Sequence, residues 1–290
     1  MKKNTLIISL VISLFISIYS LSEKWTSYPS CKQGRLQSPI KLNEYDSTYS
    51  NSFSFVYQNY KKLNLTFISN LHTLIWNITN QDGGGYINFE KNGVIKQYEL
   101  IKIELYPGEH EVDGKKGDYE LHLIHKKNLD FNTNKNQYRK IVDANMFLTV
   151  VLRYKNNCSE TGVYCISDDG LLSDLNNSRS SNDFFDLNKY PIYQDKRAYL
   201  YEGSFLYIPC DENVNYYIIK DLFYAGFNIT DTFKDIIDDI NEFKEIKNDA
   251  ERYDRPVLKN FMNYREFLYG DYLRINFFYI IGIIFIFFNF

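Results

Sequence analysis

The chain has 290 residues, 44% of them hydrophobic and 24% charged, enough to bury one substantial core. Its net charge of -3 supplies no basic field for a phosphate backbone, which argues against a nucleic-acid partner. The length fits one large domain or two small ones. With 26 Tyr and 22 Phe, the composition favours strands over helices.

In chain order, residues 1–22 read as a secretory signal. Lys2 and Lys3 form the basic start, Leu6 to Ile18 the apolar run, and Ser20 to Ser22 a small-residue exit. An uncleaved anchor helix is the alternative, but the run is short for a membrane span. Residues 25–40, rich in turn formers, make an irregular lead-in. Alternating apolar positions predict strands at Asn64–Ile68, Thr73–Ile78, Tyr86–Phe89, Leu100–Tyr106 and Tyr119–His125. Asn92-Gly93 marks a hairpin turn after Phe89. Phe147–Tyr154 reads as a strand buried on both faces, followed by a polar stretch over 155–198 with a short helix near Leu171–Leu175. Strands are predicted again at Ser204–Pro209 and Val214–Lys220. Phe233, Ile236, Ile237, Ile240, Phe243 and Ile246 then recur at helical spacing, with Thr230 or Asp231 as the cap. The organisation is a single domain over 23–270, mainly β, with peripheral helices.

Residues 272–290 are apolar and end in FFYIIGIIFIFFNF, which reads as a membrane anchor or a lipid-anchor signal. The sequons at Asn64, Asn77, Asn157, Asn176 and Asn228 suit an exported surface as glycosylation candidates. The four cysteines suggest two disulfides, of three possible pairings. Cys158 and Cys165 sit in one short loop and can close it, which leaves Cys31 with Cys210.

Four groups of residues resemble the α-class carbonic anhydrases. The first is Trp25, Cys31, Gly34 and Gln37-Ser38-Pro39-Ile40. The second runs from Tyr98 to His125 and is similar to the family's HxH strand, its P-S-E-H and V/I-D-G segments and its E-L-H-x-V-H strand. The third is Gly203-Ser204 with Pro209-Cys210-Asp211-Glu212-Asn213-Val214, and the fourth is Asn263-Tyr264-Arg265, near the usual C-terminal N-x-R-P. The resemblance implies a large, twisted, mostly antiparallel sheet of about ten strands. It also supports the pairing of Cys31 with Cys210.

The family's chemistry rests on one zinc held by three histidines, with water in the fourth position. Zinc lowers the pKa of that water to about 7 in these enzymes, making a hydroxide that attacks carbon dioxide. Here the HxH positions are Glu104 and Tyr106, and only the third, His122, remains. A carboxylate can ligate zinc, but a phenol with an ordinary pKa near 10 is a poor donor. Glu120 matches the acid that orients a ligand histidine, and Glu109 the acid behind the family's threonine gate. The gate itself falls at Leu206, with Tyr207 following. The glutamine before the HxH pair is Lys102, and His72 lies where the family carries a proton-shuttle histidine. His110 and His125 match positions that bond within the core.

The reading is an exported, membrane-attached carbonic-anhydrase-like domain without catalysis or cofactor, which binds an unidentified protein or glycan. The alternative is a divergent zinc-dependent carbonate dehydratase using His122 and Glu104.

Overall fold

The computed structural model describes residues 31, 34–69, 73–128, 146–158, 164–179, 184–190, 196–206, 210–233 and 255–262. The expected signal, His72, Tyr207, the helix beyond Phe233, Arg265 and the apolar tail lie outside them. The strands are β1 (Thr48–Tyr49), β2 (Phe53–Tyr60), β3 (Lys62–Leu63), β4 (Leu65–Ser69), β5 (Leu74–Ile78), β6 (Gly85–Lys91), β7 (Val94–Pro107) and β8 (Glu111–Val112). They continue as β9 (Lys115–Lys116), β10 (Tyr119–Lys127), β11 (Phe147–Tyr154), β12 (Cys165–Ser167), β13 (Phe185–Asp186), β14 (Ala198–Gly203), β15 (Val214–Tyr224) and β16 (Leu258–Lys259). The described helical elements include two short α-helices, α1 (Leu171–Asn177) and α2 (Ile229–Thr232), and a 3-10 turn at Leu187–Lys189.

One mixed sheet of 12 described strands dominates, ordered β1-β16-β14-β15-β11-β10-β7-β5-β4, with β2, β6 and β12 attached beside this path. Most pairs are antiparallel; β11 runs parallel to β15, as β1 does to β16 and β12 to β15. At the β6–β7 turn, Asn92 and Gly93 both have positive φ, the geometry that made this dipeptide a hairpin signal.

The sheet buries both faces. One carries the larger cluster, with Trp76, Ile103, Leu105, Leu121, Leu123 and Val150. The other carries Ile124, Val151, Tyr199, Tyr201, Tyr216 and Ile218. This explains why Phe147–Tyr154 reads as a continuous apolar run, since its alternate residues serve two different cores. A bulge in the β7–β10 register places Lys102 opposite Ile124 and Leu100 opposite His125, leaving Ile101 as the extra residue. Apolar alternation therefore changes phase inside β7: Tyr98 and Leu100 face the same core as Ile103 and Leu105.

Several elements depart from the sequence expectation. A strand was expected at Ser204–Pro209; the described strand is Ala198–Gly203, residues 204–206 lie outside it, and 207–209 are outside the described residues. Ser204 leaves the ladder because its backbone N–H donates to Ser38 Oγ (3.1 Å) and its own hydroxyl accepts from Ser38 N–H (3.1 Å). Strand β2 was not anticipated at all. The cap of α2 is Asn228, whose Oδ1 accepts from Asp231 N–H at 3.3 Å; Thr230 and Asp231 lie inside α2, and the helix they were expected to cap, beyond Phe233, lies outside the described residues. Both disulfides form: Cys31 joins Cys210 across 179 residues, and Cys158 joins Cys165 across 7.

Candidate functional site

On a strand, residues two apart share a face. Lys102, Glu104 and Tyr106 therefore project together from β7, and the register sets His122 opposite Glu104, and Glu120 opposite Tyr106. On the other flank, β5 sets Ile75 opposite Glu104 and Asn77 opposite Lys102. Three sequence-predicted site residues, Glu104, Tyr106 and His122, thus meet on one face. His72 lies outside the described residues.

Glu104 is 1% exposed; Oε2 accepts a hydrogen bond, while Oε1 is held in an ion pair without a well-formed hydrogen bond. Tyr106 donates its hydroxyl proton to Oε2 at 2.5 Å. Lys102 Nζ stands 2.6 Å from Oε1 in an ion pair. The chain Lys102–Glu104–Tyr106 is made of the three residues that the resemblance sets at the glutamine and two histidine positions of the family's centre. The Tyr106 and His122 rings lie 4.7 Å apart, tilted by 46°.

Behind this lies a second buried network. Glu120 Oε1 accepts from the backbone N–H groups of Glu109 (3.0 Å) and His110 (2.5 Å). Its Oε2 meets His110 Nδ1 at 2.8 Å and His122 Nε2 at 3.1 Å. A carboxylate only accepts, so both ring nitrogens donate to it. Burial alone would raise the pKa of Glu120, yet the two imidazoles, His110 foremost, pull it well below the usual carboxylate range. Burial in turn holds His122 below the ordinary imidazole value, against the pull of Glu120. On its far side, His110 Nε2 lies within hydrogen-bond reach of the Tyr201 hydroxyl oxygen (2.6 Å). Tyr201 also lies 3.2 Å from Ser38 Oγ. Burial pushes the Tyr201 phenol far above its ordinary pKa. This network ties β10, β14 and the Gln37–Ile40 segment together.

His110, Glu120 and His122 bring one potential ligand atom each within 4.8 Å of one another. The contacts above already account for that proximity, and they occupy both nitrogens of His110. Only Nδ1 of His122 forms no hydrogen bond among the described residues. Nor does the front set of residues fit zinc in the family's manner. The Glu104 carboxylate is already neutralised by Lys102, and Tyr106 spends its proton on that carboxylate. A dication at Oε1 would confront the ammonium; a unit charge pair at 4 Å costs on the order of 4 kcal/mol even at an effective dielectric constant of 20. At the gate, Leu206 is half-buried and follows the buried Phe205. Its side chain has no oxygen to accept a hydroxide's hydrogen bond.

Three residues go beyond the sequence reading. Lys102 was noted only as a lost glutamine, although its spacing from Glu104 already placed both charges on one face. Arg153 is buried and donates from Nη1 to the Lys115 carbonyl (2.7 Å) and from Nη2 to the Lys220 carbonyl. Burial lowers its pKa to about 10. Arg255 donates from Nη1 to the Glu202 carbonyl (2.9 Å) and from Nη2 to the Gln37 carbonyl (2.5 Å). The dipeptide Arg255-Pro256 meets the R-P of the C-terminal motif better than Arg265 does, and it was legible.

The comparisons agree with this architecture. Residues 20–263 match the family model of the eukaryotic-type carbonic anhydrases. Alpha carbonic anhydrase 8 of Arabidopsis thaliana is 23% identical over 206 residues, 69% of this chain and 48% of that protein. The chain thus spans about half the length of that relative. Among solved structures, dioscorin complexed with ascorbate superposes with a TM-score of 0.60 at 20% identity, covering 83% of this chain and 94% of dioscorin. The α-carbonic anhydrase of Thermovibrio ammonificans with sulfanilamide gives 0.55 at 20% identity, covering 80% and 90%. These structural likenesses establish the fold, and the family match over most of the chain establishes descent: the protein belongs to the eukaryotic-type, α-class carbonic anhydrase family.

Proposed function

We propose that this chain is a non-catalytic member of its family, exported and membrane-attached, acting as a binding module for a protein or glycan. The observation that carries the reading is the Lys102–Glu104–Tyr106 chain, in which an ammonium neutralises the carboxylate and a phenol donates to it where the family places zinc. Leu206 at the gate removes a second element of hydroxide chemistry. Two disulfides suit an oxidising compartment outside the cytosol. The likeness to dioscorin, solved with ascorbate bound, supports a binding role on this fold. The test is zinc content and carbon dioxide hydration rate of the purified protein, with unfolding followed in chelator. Neither zinc nor activity is expected, and chelation leaves the unfolding curve in place. Stoichiometric zinc with hydration abolished by His122→Ala overturns the proposal.

One observation favours the alternative of a divergent carbonate dehydratase: Nδ1 of His122 is left without a hydrogen bond among the described residues. That reading requires Glu104 to exchange Lys102 for a metal, so Glu104→Ala would abolish metal binding. A metal-free protein with unchanged stability in chelator rules it out.

A further inference from the structure

Strand β4 ends the main sheet: it pairs with β5, and among the described residues nothing pairs with its other side. Such an edge offers a row of backbone donors and acceptors to another chain. Proteins protect such edges with charge, proline or a bulge, and Leu65-Thr66-Phe67-Ile68-Ser69 contains no charge and no proline. Its register with β5 is continuous from Leu65↔Ile78 to Ser69↔Leu74, so no bulge interrupts it. Ile68 is 46% exposed. This is a regular, apolar, β-prone edge with no protection of its own.

Immediately before β4 stands the exposed Asn64, the acceptor of the sequon Asn64-Leu65-Thr66. Its backbone is fixed: N–H donates to Asn80 Oδ1 at 2.8 Å, and its carbonyl accepts from Thr79 N–H at 2.9 Å. Its side-chain amide makes no hydrogen bond among the described residues. The other sequons are placed less favourably. Asn77 is half-buried in β5, flanked by Thr66 and Lys102. Asn176 Oδ1 accepts from Arg179 at 3.0 Å. Asn157 is half-buried beside the disulfide-bonded Cys158. Asn228 is exposed, and its Oδ1 is already committed to capping α2, although its Nδ2 makes no hydrogen bond among the described residues.

We propose that Asn64 carries an N-linked glycan that shields the β4 edge from pairing with another copy of this chain. The inference rests on the export reading above. The donor is a polyprenyl-diphosphate-linked oligosaccharide. Asn64 Nδ2 bonds to the sugar C1 as the C1–O bond to the diphosphate breaks, and the amide proton is lost to the transferase's base. The polyprenyl diphosphate leaves with the bonding electron pair.

The test uses the full chain expressed through the secretory pathway of a eukaryotic host and purified in detergent. Enzymatic deglycosylation in heavy-oxygen water labels each formerly modified Asn as Asp for peptide mass spectrometry. Label at Asn64 is expected. Asn64→Gln and Thr66→Ala, which delete the sequon in two independent ways, should each lose one glycan step on a gel. Both should shift toward dimer mass on sedimentation as concentration rises, while Asn228→Gln stays monomeric. Label at other sequons with Asn64 unmodified overturns this inference and leaves export standing. No label at any sequon overturns both. An occupied Asn64 whose two sequon variants remain monomeric overturns the shielding role.

Discussion

Ile75 of β5 and His122 of β10 both stand level with Glu104 of β7, one on each side. Glu104 therefore sits inside the sheet with a strand on either side, and its charge can be balanced only by groups on the same face. Lys102, two residues away on its own strand, supplies that balance at 2.6 Å.

Removing the ammonium leaves a carboxylate with no cation. Lys102→Met is expected to destabilise the fold by about 3 kcal/mol, because a buried charge deprived of its partner keeps its desolvation cost. Adding Glu104→Gln should recover most of the loss, since the charge is then gone. Denaturant midpoints of the single and double variants read both effects.

The scaffold behind the centre is intact, so restoring the ligands should restore the metal. The triple variant Lys102→Gln/Glu104→His/Tyr106→His gives three imidazoles with His122, whose Nε2 is already oriented by Glu120. Stoichiometric zinc by elemental analysis is the expected outcome. A triple variant that folds without zinc would place the obstacle elsewhere, with Leu206 the first position to change.

Acid should weaken the fold in two stages. His125 is buried, with Nδ1 donating to the Leu148 carbonyl (3.2 Å) and Nε2 accepting from the Tyr60 hydroxyl (2.7 Å). Burial lowers its pKa to about 4, whereas the unfolded chain takes up that proton near pH 6.5. Its stabilising contribution is therefore full above pH 6.5 and lost as pH falls toward 4, about 3 kcal/mol in all. His122, also lowered by burial, acts in the same direction. Glu120, held well below the usual range, adds its loss only below the ordinary glutamate value of about 4.3. Unfolding curves taken across this range should show the first decline reduced in His125→Gln.

The two disulfides should differ in weight. Chain entropy assigns about 5 kcal/mol to a closure as long as that of Cys31 and Cys210, and about 2 kcal/mol to the short loop of Cys158 and Cys165. Cys31→Ala/Cys210→Ala should therefore lower the denaturant midpoint about twice as far as Cys158→Ala/Cys165→Ala. Equal losses would mean that the unfolded chain retains contacts between its ends.

Much of the fold was legible because its strands repeat every two residues. The expected β4, β5, β6, β10 and β11 lie within a few residues of the observed ones, whereas β7 was read from Leu100 although it begins at Val94. Reading failed where the reason lay far away in the chain. Ser204 leaves its strand for Ser38, 166 residues earlier, and no local pattern carries that. In the site, Glu104, Tyr106 and His122 were readable as substituted or retained positions. What they do with one another was not, because it depends on register and on which proton each group gives up. The Lys102–Glu104 pair is the exception, since alternation alone puts the two on one face.

The cation facing Glu104 is a side chain two residues away in the same polypeptide, so it arrives with the strand as the chain is synthesised. Its local concentration is fixed by backbone geometry and does not change with dilution, chelators or metal supply. A dissociable ion has to be delivered and can be exchanged; a lysine can be neither withheld nor stolen. On the non-catalytic reading proposed above, maturation of this centre needs no loading step, and the fold should assemble equally well where free zinc is scarce.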